Sequence, residues 1–453
     1  MKVAIVHGMN AATAPISFVK TPATAPISFV KTRLCIMMFL QYAIWGAWLP
    51  ILYPFLMGFR KFSLNQTGYC LAAGAAGAIF GPFIAGQLAD RKFATEKLLA
   101  VSHAIGAVLV WNLASAADFS TFCTLSFIYG FVYAPTLALT NSMAFANISN
   151  RDRDFGPIRL WGTLGWICVG ILVGQMLLRK YTPAVGTEIE IADAQNAGRA
   201  VAFQLSSVLG LIMAAYCLTL PHTPPAKSPK QSAAWAEALG EIRLQPLITL
   251  FLVAIPVSMI HQFYFVFTSD FLGAIQRKAA NASANNFADW TNQVFGVGGG
   301  GLMTIGQMTE IMVLGAIPLL TKKFSYKSLL MIGLCAYALR MAIFADMPDL
   351  FPVMFGVALH GVCFGCFIFV AFMMVDKFTT KDVRATAQNL FNLIFVGVGI
   401  IVGSMFATKV AGMATENGVM NYKHLFTVPM WMAIGSLVAI VIFMPSQKAL
   451  DAK

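Results

Sequence analysis

Twelve runs of about 20 or more largely apolar residues constrain this chain more than any other feature. They cover 34–58, 66–89, 97–116, 120–146, 156–178, 199–220, 246–273, 294–320, 326–346, 350–375, 384–411 and 424–445. A helix of that length crosses the hydrocarbon of a bilayer, and it satisfies its own backbone polar groups where no water can. Only 11% of the 453 residues are charged and 58% are hydrophobic, against about 25% charge in a soluble domain. The pattern predicts an all-α polytopic membrane protein with twelve transmembrane helices.

The charges set the orientation. The formal net charge of +12 does not point to nucleic acid, because the cations lie in short clusters between apolar runs and form no basic stripe. With both termini in the cytoplasm, the inner segments hold 20 Lys or Arg and the outer ones 9, as the positive-inside rule requires. All eight cysteines fall inside apolar runs and read as small buried hydrophobes. Cys363 and Cys366 form a CxxC with no second ligand pair in register, so no metal site is predicted. No cofactor is implied.

The segment 221–245 divides six spans from six, and two such halves suggest parallel repeats with a binding site between them. The predicted organisation is a tail at 1–32, a six-helix bundle at 33–220, a cytoplasmic linker at 221–245, a second bundle at 246–445 and a tail at 446–453. The linker begins proline-rich and continues as a candidate surface helix. The first tail contains ATAPISFVKT twice, at 12–21 and 23–32; its proline and threonine content argues for a disordered segment.

Few ionisable groups fall inside the runs. Arg159, Thr163 and Trp166 are spaced i, i+4, i+7 on one face of the fifth span. That face offers a fixed set of donors, a hydroxyl and a flat ring, which suits a ligand with an aromatic base and a hydroxylated sugar. The alternative is that Arg159 snorkels to the cytoplasmic surface. Gln307 and Glu310 share a face of the eighth span, and Glu310 is the only carboxylate taken as intramembrane. An intramembrane acid is a candidate proton carrier or ion-pair partner, and in a dry site it can hold a proton at neutral pH. Arg340 and Arg159 are its candidate ionic partners. Gln41, Trp45 and Trp48, then Tyr133, Thr140 and Asn141, then Gln388, Asn389 and Asn392 mark further polar stripes. Interhelical hydrogen bonding explains each as well as ligand contact does.

GQLADRK, Gly86 to Lys92, resembles the loop after the second span of the major facilitator superfamily. LQYAIWGAWL (40–49), SHAIGA (102–107), VYAPTLALTNS (132–142), FGPIRLWGTLGW (155–166), LTLPHTPPAK (218–227), GQMTE (306–310), ALRMAIFA (338–345) and VRATAQ (383–388) resemble its bacterial nucleoside:proton symporter family. The resemblance implies proton-coupled import of nucleosides through the cell inner membrane by a monomer, with no nucleic acid partner. It implies substrate contacts from Arg159, Thr163, Trp166, Gln262, Gln307, Glu310, His360 and Phe364, and gating by Asp90 and Arg91. Two positions depart from the family pattern in the tenth span: His360 stands where a tyrosine is expected, and Gly365 where an aspartate is. Phe265 stands where the seventh span carries an asparagine, beside a His261 of open role. Proton coupling then falls to Glu310 and His360, since histidine titrates near neutral pH. A facilitator, or a carrier of a sugar or modified nucleoside, is the competing reading. An enzyme is not expected, because no nucleophile–base pair or P-loop is present.

Overall fold

A computed structural model of the chain describes residues 27–91, 93–225, 234–281, 286–380 and 383–446. Among the described residues, eleven helices are long and apolar enough to cross a membrane. They are Phe29–Phe59, Thr95–Ser115, Phe119–Ala146, Arg153–Lys180, Glu188–Cys217, Leu247–Asn281, Gly300–Lys323, Tyr326–Asp346, Leu350–Lys377, Thr386–Met413 and Tyr422–Phe443. A further long helix, Leu64–Arg91, takes the place of the second expected span, so twelve spans follow one another in the predicted order. The side chains of 82–92, including those of Asp90 and Arg91, lie outside the described residues, as do residues 1–26.

Polar residues start several helices by satisfying their free N–H groups. Asn150 accepts from the Arg153 N–H at 3.0 Å, and Asp118 from that of Thr121 at 2.8 Å, which holds the Asp118 carboxyl below the usual range. The Asn150 cap begins the fifth helix at Arg151, earlier than hydropathy alone places it.

Four other boundaries differ from the sequence reading. The first helix begins at Ile27, inside the segment expected to be a tail, because its apolar residues continue the first span. Residues 294–299 do not open the eighth span. A short helix, Asn286–Phe295, ends there, and glycines at positive φ, Gly296, Gly298 and Gly299, turn the chain before Gly300. The seventh helix runs on to Asn281, past the expected end at 273, and Asp270 lies within it, where the Tyr422 hydroxyl donates to it at 2.8 Å. The sixth span is preceded, almost without interruption, by the capped helix Glu188–Gly198. In the linker, the expected surface helix is found at Ala234–Ile242.

The buried apolar side chains gather into one large cluster from spans 1–6 and another from the linker helix and spans 7–12, joined there by Tyr53. Among the described residues, every hydrogen bond between the two sets of spans lies at one end of the molecule. Val297 N–H donates to the Gly174 carbonyl at 3.1 Å, the Gln175 amide to that of Gln293 at 2.6 Å, and the Asn281 amide to Glu188 at 2.8 Å. Arg199 donates to the Gly298 carbonyl at 3.4 Å and Arg277 to the Gln195 side chain at 3.5 Å. A Cβ on Gly296 would strike the Gly174 backbone, so the two chains touch main chain to main chain. No ion pair joins the two sets of spans among the described residues.

Candidate functional site

The fifth helix starts at Arg151, which puts Arg159 about 12 Å along it at 1.5 Å per residue. Its guanidinium lies on the ring of Tyr42 from the first span, 3.9 Å from the centroid, with Gly162 beneath it. A cation held against a neighbouring helix in this way is not snorkelling. Thr163 is half-buried one turn further on. The Trp166 indole packs on Gly46 and meets Trp45 edge-on at 5.8 Å.

Spans eight and ten approach closely because glycine faces each of them. A Cβ on Gly361 would strike the backbone of Thr309 and Glu310, and one on Gly306 would crowd the His360 side chain. This approach brings Glu310 Oε2 to 3.7 Å from His360 Nε2. Glu310 stays 14% exposed, whereas His360 is 2% exposed. Neither candidate arginine forms an ion pair with Glu310 among the described residues: Arg159 lies on Tyr42, and Arg340 lies behind His360. His360 is stacked on Tyr264 at 4.9 Å and on His261 at 5.6 Å, with Phe364 at 6.3 Å. A π-helical turn, Phe364–Phe369, follows it directly; such turns are frequent at functional sites.

Arg340 is 0% exposed and sits between the rings of Tyr264, at 4.1 Å, and Tyr337, at 4.9 Å. Its Nη1 lies 3.3 Å from His360 Nδ1. Its Nε and Nη2 have no hydrogen-bond partner among the described residues, and neither do the buried Tyr264 hydroxyl and Gln307 Oε1. Buried polar atoms are usually paired, so this concentration marks the spot.

Other predicted residues go elsewhere. Gln262 donates to the Ser404 hydroxyl at 3.0 Å, toward the eleventh span. Its neighbour His261 turns to the Tyr337 hydroxyl at 3.0 Å, as adjacent helical positions must. Phe265 lies against His360 at 6.0 Å, an aromatic contact at the position of the family's asparagine. A Cβ on Gly365 would come within 2.6 Å of Val313, so no room is left there for a carboxylate. Gln41 bonds Thr136 and His103, Trp48 packs on Phe203, Thr140 bonds the carbonyl of Thr136, and Gln388 donates to Asp376. These are packing contacts. Asn389 and Asn392 are exposed. Tyr42, Tyr264 and Tyr337 were not singled out from the sequence. Two of them carry a usable signal, since Tyr264 stands three residues after His261 and Tyr337 three before Arg340, sharing a helix face with each.

The assembled groups can accept hydroxyls at a carboxylate, donate from Arg159 and His360, and stack a flat ring. The family profile described as nucleoside H+ symporter matches residues 29–449. The putative nucleoside transporter YegT of Escherichia coli K12 is 32% identical over 379 residues, 82% of each chain. The nucleoside permease NupG of the same organism is 27% identical over 87% of this chain and 91% of its own. The crystal structure of the nucleoside transporter NupG aligns with a TM-score of 0.76 at 24% identity, over 91% of this chain and 98% of that one.

Proposed function

This chain belongs to the nucleoside H+ symporter family, and from that premise we propose that it imports nucleosides together with protons by alternating access. The fold is that of the major facilitator superfamily, a multi-pass membrane transporter architecture in which two halves rock about a site near the midplane. Arg159 and Glu310 supply the observation that carries the proposal. One charge comes from each half: Arg159 is held on the first against the Tyr42 ring, and Glu310 on the second beside His360. A solute bound between them touches both halves, so its release and binding are tied to their relative motion.

In this reading Glu310 accepts ribose hydroxyls, Gln307 and Gln262 contact base or sugar, and Arg159, Thr163, Trp166 and Phe364 complete the cradle. Glu310 and His360 are the two groups available to hold the coupling proton. Protonation drives transport only if it changes the relative stability of the two conformers, and a buried acid facing the opposite half meets that condition. With the termini cytoplasmic, the hydrogen-bonded end is the outer one. The protein works as a monomer in the inner membrane with both termini cytoplasmic, and Asp90 and Arg91 gate the inner end. Uptake of labelled uridine and adenosine into vesicles tests this: a pH gradient, acidic outside, should drive accumulation, and accumulation unaffected by collapsing that gradient would remove the coupling.

A further inference from the structure

The arrangement around His360 decides which of the two candidate groups carries the proton. We infer that Arg340 is a positioning residue that occupies Nδ1 of His360 and turns its Nε2–H toward Glu310, so that His360 acts as a fixed donor and the proton travels on Glu310 alone. This rests on the proposed proton coupling at the same site and assigns it to one atom group.

The argument is one of donors and acceptors. Arginine has five N–H donors and no acceptor. With Arg340 Nη1 3.3 Å from His360 Nδ1, that nitrogen must present its lone pair. A neutral imidazole carries one proton, which is therefore on Nε2, the nitrogen facing Glu310 Oε2 at 3.7 Å. To take a second proton, His360 would need to free Nδ1, and the new cation would face the guanidinium at the same short range.

Neither partner has room to turn away. The guanidinium is clamped between Tyr264 and Tyr337 and fully buried. The imidazole is stacked between Tyr264 and His261. The groups that face His360 are His261 and Tyr264 from the seventh span, Glu310 from the eighth, Arg340 with Tyr337 behind it from the ninth, and Cys363 on its own helix. Of these, Arg340 is the permanent cation and Glu310 the one carboxylate, and they stand on opposite sides of the imidazole. The ring therefore bridges an acid and a base that never touch. A proton arriving at Glu310 removes the negative end of that bridge and leaves Arg340 without its counter-charge, which gives protonation an effect on both the eighth and ninth spans.

The test reads the tautomer directly and needs no substrate. The full chain, labelled with 15N-histidine and held in lipid nanodiscs, is titrated across about pH 5 to 8, where an unperturbed histidine ionises, and His360 is assigned by the signal lost in His360→Tyr. The expected result is one neutral imidazole with its proton on Nε2 throughout the range in the unaltered protein. In Arg340→Met the same signal should titrate to the imidazolium form. A wild-type His360 that ionises within the range, or carries its proton on Nδ1, overturns the inference; so does an Arg340→Met spectrum identical to wild type. If Arg340→Met does not fold, the wild-type titration decides alone. Uptake of uridine is the second readout: in Arg340→Met, where His360 Nδ1 is freed, the pH profile should shift from that of the unaltered protein. An unshifted profile counts against the inference, whereas absence of proton-driven uptake in the unaltered protein refutes the coupling reading and leaves the tautomer result standing.

Discussion

Each half of the molecule buries a histidine among polar side chains of neighbouring spans, and the two histidines are treated differently. In the first half, His103 Nε2 bonds the Gln41 side-chain oxygen at 2.9 Å. The Gln41 side-chain amide donates to Thr136 at 2.7 Å, Thr136 to the Tyr133 carbonyl at 2.6 Å, and the Tyr133 hydroxyl returns to the main-chain carbonyl of Gln41. The loop closes on itself and carries no charge. In the second half, His360 stands between Arg340 and Glu310, and two arginine donors, a tyrosine hydroxyl and a glutamine oxygen nearby have no partner. A fully paired buried network rigidifies a core. Unpaired groups held in place cost stability and are retained where a ligand or proton comes and goes. The comparison teaches that the His103 network is scaffold and the His360 network the responsive part of the molecule.

Four substitutions would break or sharpen that contrast. The largest effect is expected from Glu310→Gln, which removes the proton-binding group: accumulation of uridine against its gradient should be lost and residual uptake should no longer rise as the outside is acidified. Arg159→Leu comes next. Hydrogen bonds to charged groups contribute about 1.5–3 kcal/mol, so uridine affinity measured by calorimetry should fall roughly 10- to 100-fold with little change in thermal midpoint. Gln41→Leu should do the opposite, costing about 1–3 kcal/mol of stability because His103 and Thr136 lose a partner, while uridine affinity in the folded protein is unchanged. Gln262→Leu is the smallest and the most discriminating. Its bond to Ser404 makes it resemble Gln41, yet a role in the cradle requires affinity to drop, by less than about tenfold if it supplies one neutral hydrogen bond worth about 0.5–1.5 kcal/mol. Unchanged affinity would place Gln262 with the scaffold.

The spans were legible because the bilayer imposes a length and a composition on every crossing. The site was legible one helix at a time: Arg159 and Glu310 stand out as charges where charge is costly. What joins helices was not legible. Arg340 reads as an isolated in-span cation, and its contacts to Tyr264 and His360 come from the seventh and tenth spans. The stacking of Arg159 on Tyr42 links residues from the fifth and first. The start of the eighth span was misplaced because a glycine run looks apolar to hydropathy, although three of those glycines adopt positive φ and stop the helix. The resemblance implied an acid where Gly365 stands, and the packing of Val313, which a Cβ there would displace, was not visible from the sequence.

Among the described residues, the closure between the two halves is made of carbonyls, amides and two arginine donors meeting neutral oxygens, with one amide on a glutamate and no cross-half ion pair. Dissolved salt weakens attractions between exposed charges far more than contacts of this kind. A cell moving from dilute to briny surroundings would therefore find this latch equally firm, and the carrier's working rhythm would be left to the gradient it harvests.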